Sequence, residues 1–251
     1  MNEHFFDKWG LVYVTKGSLP HWHQTGKLTF VTFRLYDSIP KKVIDNILLE
    51  YEQKLSLNRC IYDKKEIELL KWEKYNRIEK YLDKGNGECL LIDSECRNIV
   101  AQALLHFDNV RYKIVSYVIM PNHVHVVLMP YGEWMVQDII KSIKHYSALC
   151  INRLLGRVGQ VWQKESFDRI IRDEQHYLNI LKYIYNNPRN LTNDSFSLYF
   201  VENLILWRRS PASVARGYTL SFVLRLLSCN IRNERSFQLM FGLVSYSRTL
   251  R

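Results

Sequence analysis

The order of the predicted elements points to an α+β fold: strand, helix, strand, strand, helix, strand, with one more helix behind them. Three observations carry this. "RYKIVSYVIM" and "HVHVVLMP" are two β-rich runs separated only by the turn-like Pro121-Asn122. A helical stripe of Val136, Ile139, Ile140, Ile143, Ser147, Cys150 and Leu154 follows them directly. An alternating, β-branched run, "KLTFVTFRLY" (Lys27–Tyr36), opens the pattern. Together they predict a ferredoxin-like β-α-β-β-α-β antiparallel sheet with its helices on one face, plus an extra C-terminal helix and a helical insertion.

Each element has a local cause. From Ile39 to about Leu82 the period turns helical and charged, as in "KKEIELLKWEKYNRIEKYL", and reads as one or two solvated helices inserted between core elements, until "GNGE" breaks the pattern. Asp93 or Ser94 can cap a helix through "ECRNIVAQALLHF", with Ile99, Ala103 and Phe107 in phase. Gly156 and Gly159 end the helix over 136–155, and "VWQKESFDRIIR" reads as the fourth strand. Asp173 caps a last helix, "EQHYLNILKYIYNN", which Pro188 stops. The expected division is a main domain over 1–193, with its insertion at about 39–92, and an extension over 194–251 that shows no readable pattern.

Composition narrows the function classes. A hydrophobic content of 47% argues against wholesale disorder. The 35 Lys and Arg against 25 Asp and Glu leave +10, which favours a polyanionic partner, nucleic acid or an anionic membrane surface. Five scattered cysteines without a C-x-x-C pair argue against a disulfide framework or a cysteine zinc site and suit a reducing cytoplasm. "MNEHFFDKWG" lacks the apolar core of a signal peptide, and no run reaches the roughly 18 apolar residues that span a bilayer. A cytoplasmic protein without a membrane partner is expected.

The run "YVIMPNHVHVVLMP" raises the chemical question. Side chains alternate along a strand, so His123 and His125 project from one face about 6–7 Å apart. Two such imidazoles can hold one divalent ion when a third ligand approaches, although ordinary sheet-surface histidines give the same pattern. "PHWHQTG" repeats the H-x-H spacing at His21 and His23 but lies outside a convincing strand, and reads as a loop that packs or contacts a ligand. On the last helix Tyr183 and Asn187 are one turn apart on one face. An amide oxygen suits magnesium or manganese, and a nearby phenol can act on whatever the ion holds. Each residue alone also fits plain packing, and "NNP" is an ordinary helix terminator.

"VIMPNHVHVVL" followed by "YIYNNP" resembles the HUH single-tyrosine transposases, most closely the branch associated with repetitive extragenic palindromes (REP). "GSLPHWHQTGKLTFVTFRLYDSIP" and "VWQKESFDRIIRDEQHYLNILKYIYNNP" extend the resemblance over about residues 10 to 190. It implies a ferredoxin-like fold and metal-dependent cleavage of single-stranded DNA beside a hairpin, through a 5′-phosphotyrosine. His123 and His125 match the family's HUH histidines, Tyr183 its nucleophile and Asn187 its third metal position, with Mg2+ or Mn2+ as cofactor. Tyr185 competes for the nucleophile's role, but helical phase and the four-residue step to Asn187 favour Tyr183. The segment after Pro188 departs from the family's continuation, so nothing about target choice extends into it.

For DNA contacts, Lys141, Lys144 and His145 cluster opposite the apolar stripe, Arg153 lies further along, and Lys164, Arg169 and Arg172 follow on the next strand. Trp162 or Trp22 could stack on unpaired bases, with His21 beside Trp22 in the "LPHW" segment. A solvated helix face and core tryptophans remain the alternatives. Two rival functions stay open: a domesticated protein that binds hairpins without cutting, and a phosphodiesterase in which water attacks. Whether the protein is a monomer or a homodimer is left open.

Overall fold

A computed structural model describes residues 3–16, 20–57 and 64–201 of the chain. An N-terminal hairpin pairs β1 (Tyr13–Lys16) with β2 (Pro20–His23), and β3 (Thr29–Arg34) follows. The insertion folds as two helices, α1 (Lys41–Leu57) and α2 (Lys64–Leu82). Next come α3 (Ser94–Leu105), β4 (Tyr112–Ile119), β5 (His123–Pro130), α4 (Val136–Leu154) and β6 (Phe167–Ile170). The chain continues through α5 (Glu174–Asn186) to β7 (Ser197–Phe200).

The main sheet runs β6-β3-β5-β4-β7, with every neighbouring pair antiparallel. Its first four strands have the predicted ferredoxin-like order. All eight residues of β5 are buried, because helices cover both faces of the sheet at its centre. Val124, Val126 and Leu128 point into the cluster formed with α3 and α4, beside Val31, Phe33, Val100, Leu104, Ile139 and Ile143. Val127 and Met129 face the other way, onto Phe30 and the α5 residues Ile180, Leu181 and Ile184. By strand alternation His123 and His125 belong to this second face.

The two caps behave as expected. Asp93 accepts hydrogen bonds from the backbone N–H of Glu95 and Cys96 at 2.8 and 3.0 Å, and Asp173 accepts one from His176 at 2.7 Å.

Four features depart from the sequence reading. Pro20–His23 is a strand, because Tyr13–Lys16 supplies a partner that its own pattern did not reveal. The fourth strand is confined to Phe167–Ile170; Val161 and Trp162 lie in the core, where Trp162 bridges Leu35, and the polar stretch between them and Phe167 forms no regular strand, although the Gln163 N–H donates to the Arg34 carbonyl at 2.9 Å. The sheet continues past residue 193: β7 pairs with β4 from Ser116↔Phe200 to Ile119↔Ser197, and Tyr199 stacks on Tyr117 at 5.0 Å. The buried Arg97 guanidinium fastens this strand by donating to the Asp194 carbonyl and the Ser197 hydroxyl while also holding the Leu91 carbonyl. Finally, α2 is not wholly solvated, as its Leu82 and Glu79 are buried. From residue 202 onward the expected extension lies outside the described residues.

Candidate active site

His123 and His125 stand on the central strand with their Nε2 atoms 3.1 Å apart and almost no exposure, 1% and 0%. Each outer nitrogen is held. His125 Nδ1 meets the Thr32 hydroxyl on β3 at 2.8 Å, and His123 Nδ1 meets Asn122 Oδ1 at 2.7 Å. The Asn122 amide nitrogen donates to the carbonyls of Leu82 and Asn86, both at 3.1 Å, so its oxygen is the acceptor towards the histidine. The hydrogen of His123 is therefore on Nδ1, and Nε2 offers a lone pair to the space it shares with His125.

Helix α5 brings Tyr183 to the same place. Its hydroxyl lies 3.2 Å from His125 Nε2, and its ring stands edge-on to His125 and Phe30. Tyr185, two positions on, turns away towards Phe200. The Tyr183 hydroxyl donates to the Glu79 carboxylate of α2, and that carboxylate lies 3.4 Å from His125 Nε2. Among the described residues, Glu79, His123 and His125 are the one set of such side chains with ligand atoms within 4.8 Å of one another.

The sequence reading missed Glu79, which is only 5% exposed. The detectable signal was Tyr75, Glu79 and Leu82 at i, i+4 and i+7, a lone carboxylate on a packing face. Asn187 caps α5 with its N–H on the Tyr183 carbonyl, and its side-chain oxygen is buried without a hydrogen-bond partner. A carboxylate and two fixed imidazoles form a donor set that fits a hard divalent ion.

Burial controls the protonation of this centre. It holds His123 down at about 3, and it holds His125 well below its ordinary value with help from His123. Burial pushes Glu79 up to about 7, against the hydrogen bonds that favour its charged form. Tyr183 is driven far above the ordinary phenol range by burial and by the charge of Glu79.

These shifts set the acid stability of the metal-free protein. Below about pH 6.5 the unfolded chain protonates both imidazoles while the fold excludes those protons, which destabilises the fold as pH falls. Glu79 works in the opposite sense, since the fold takes up its proton from about pH 7 downward. These three groups by themselves leave an uptake of about one proton on unfolding near pH 5.5, or about 1.4 kcal/mol per pH unit. Urea midpoints at pH 7.5 and 5 should show the loss; an equal or higher midpoint at pH 5 would contradict it.

The expected DNA-contacting residues separate into two groups. Lys141, His145, Arg153, Lys164 and Arg172 are exposed, as is Trp22 at 53%, while Arg169 is partly covered. Trp162 is a correction: at 4% exposure, with its indole N–H on the Ser147 hydroxyl and its edge against Phe33, it cannot stack on a base. His21 is also buried, its Nδ1 against the Asp168 carboxylate. Lys144 is partly buried and donates to the Lys164 carbonyl at 2.8 Å.

Among the described residues, no helix is long and apolar enough to cross a membrane. An uncharacterised protein of Haemophilus influenzae is 30% identical over 97 residues, which cover 30% of this chain and 54% of that protein, so the match spans about half the relative's length. The solved structure of a REP-associated tyrosine transposase bound to a REP hairpin aligns over 68% of this chain and 71% of its own, at 16% identity and a TM-score of 0.42. Residues 91–187, which carry both histidines, the tyrosine and Asn187, match the family described as transposase IS200-like.

Proposed function

We propose that this protein is a metal-dependent single-stranded DNA endonuclease and strand transferase that acts beside hairpin, palindromic-repeat DNA. The observation that carries the reading is the Tyr183 hydroxyl, 3.2 Å from His125 Nε2 on the strand that also bears His123. The resemblance of "VIMPNHVHVVL" and "YIYNNP" to the REP-associated branch supports the hairpin as substrate.

Glu79, His123 and His125 would hold the divalent ion, Mg2+ or Mn2+, with Asn187 as a further oxygen donor. When bound there, the ion supplies positive charge to the nonbridging oxygens of the phosphate. The Tyr183 oxygen attacks phosphorus, the bond from phosphorus to the 3′ oxygen breaks, and that oxygen leaves as a 3′-hydroxyl after gaining a proton. The product is a 5′-phosphotyrosine. Attack by another 3′-hydroxyl on it restores a phosphodiester and the free phenol, so rejoining needs no ATP. The Tyr183 proton is already directed at the Glu79 carboxylate, the group best placed to take it.

The test is a labelled single-stranded oligonucleotide carrying a hairpin, incubated with Mn2+ or Mg2+ and resolved on a denaturing gel. A covalent protein–DNA band is expected. Cleavage without that band favours attack by water, and binding without cleavage favours a non-cutting hairpin binder; either sinks the strand-transfer reading.

A further inference from the structure

Among the described residues, one cation next to the histidine pair has no anionic partner. Arg34 ends β3 directly opposite His123 on β5. The Leu35 N–H donates to the Asn122 carbonyl at 2.8 Å, which makes Arg34 and His123 a non-hydrogen-bonded pair, the closer of the two antiparallel kinds. Directly opposed residues share a face, so the Arg34 side chain leaves the sheet on the side of the metal ligands.

Its guanidinium donates to the Ser38 hydroxyl at 3.0 Å and reaches the Leu35 carbonyl at 3.5 Å. Both partners are neutral, and among the described residues no carboxylate lies within ion-pair distance of it. Burial lowers its pKa to about 10, so it remains charged at neutral pH, and no neighbouring anion offsets the cost. Lys144, on which the Glu165 carboxylate acts more strongly, also feels the Arg34 charge. A partly buried guanidinium held only by neutral groups among the described residues suits an anion rather than a structural ion pair.

We propose that Arg34 binds a backbone phosphate of the DNA strand beside the metal centre. This rests on the strand-transfer reading for its substrate, and it adds a positioning residue on β3, a strand that precedes the segment shared with the IS200-like family. The planar fork of the guanidinium takes two phosphate oxygens at once while Ser38 and the Leu35 carbonyl fix its plane.

The test measures binding apart from chemistry. Affinity for a hairpin-bearing single-stranded oligonucleotide is followed against salt, with Mn2+ present, in the Tyr183→Phe background. Adding Arg34→Gln should weaken binding about tenfold and lower the slope of log affinity against log salt by about 0.7, the value of one lost phosphate contact on a single strand. Mn2+ affinity should not change. An Arg34→Gln protein with unchanged slope and affinity overturns the proposal. If that variant does not fold, Arg34→Lys decides: it should keep the slope yet lose about tenfold in adduct formation with Tyr183 present, and an unchanged adduct rate overturns the proposal. A wild-type protein that forms no adduct sinks the strand-transfer reading alone, because the salt slope still reports on Arg34.

Discussion

Tyr183→Phe is expected to form no covalent protein–DNA adduct, whereas Tyr185→Phe should form it at the wild-type level. The difference follows from placement on α5: the Tyr183 hydroxyl lies against His125 and Glu79, while the Tyr185 ring faces Phe200. Removing the attacking oxygen leaves no route to a phosphotyrosine, so the loss should exceed about 10³-fold. Phenylalanine keeps the ring's edge-on contacts with Phe30 and His125, and the fold should survive. One hydrogen bond to the buried Glu79 is lost, an expected cost of about 1–3 kcal/mol, visible as a lower urea midpoint. Adduct formation that persists in Tyr183→Phe and disappears in Tyr185→Phe would reverse the assignment.

The second large effect separates the ligands. His123→Ala should reduce Mn2+ affinity by about 100-fold or more and abolish cleavage, because one imidazole and a carboxylate cannot maintain the ion's geometry. Glu79 has a distinct signature. Its carboxyl is held up at about 7, whereas both imidazoles are already neutral in the fold. At pH 6, binding of Mn2+ through Glu79 should therefore release close to one proton. Calorimetry in two buffers of different ionisation enthalpy counts it. In Glu79→Gln the release should vanish, with about tenfold weaker binding. If the count is unchanged by that substitution, Glu79 is not a ligand and Asn187 becomes the remaining oxygen donor.

Most of the site could be read from sequence because its central parts are local. The spacing of His123 and His125 depends only on strand alternation, and the preference for Tyr183 over Tyr185 drew on helical phase and on the four-residue step to Asn187 in the resembled motif. Glu79 could not be read in this way. It meets Tyr183 across 104 residues of chain, and it sits on an inserted helix whose charge pattern looks fully solvated. The core order was legible because β4, β5 and α4 each have a strong period. The strand at Pro20–His23 was not, since a four-residue strand gains its identity from its partner rather than from its own residues. Trp162 shows the limit for aromatic residues: composition cannot distinguish a stacking platform from a core ring whose N–H is satisfied inside the protein.

The short strand β7 has a consequence beyond architecture. Without it the outer rim of β4 would present a row of bare amides and carbonyls between Ser116 and Ile119, flanked by apolar side chains, and such a rim invites another polypeptide to zip on and propagate. By occupying those groups with its own backbone, the chain makes that stretch of rim unavailable for runaway stacking, and Arg97 acts as the latch that keeps the seal in place.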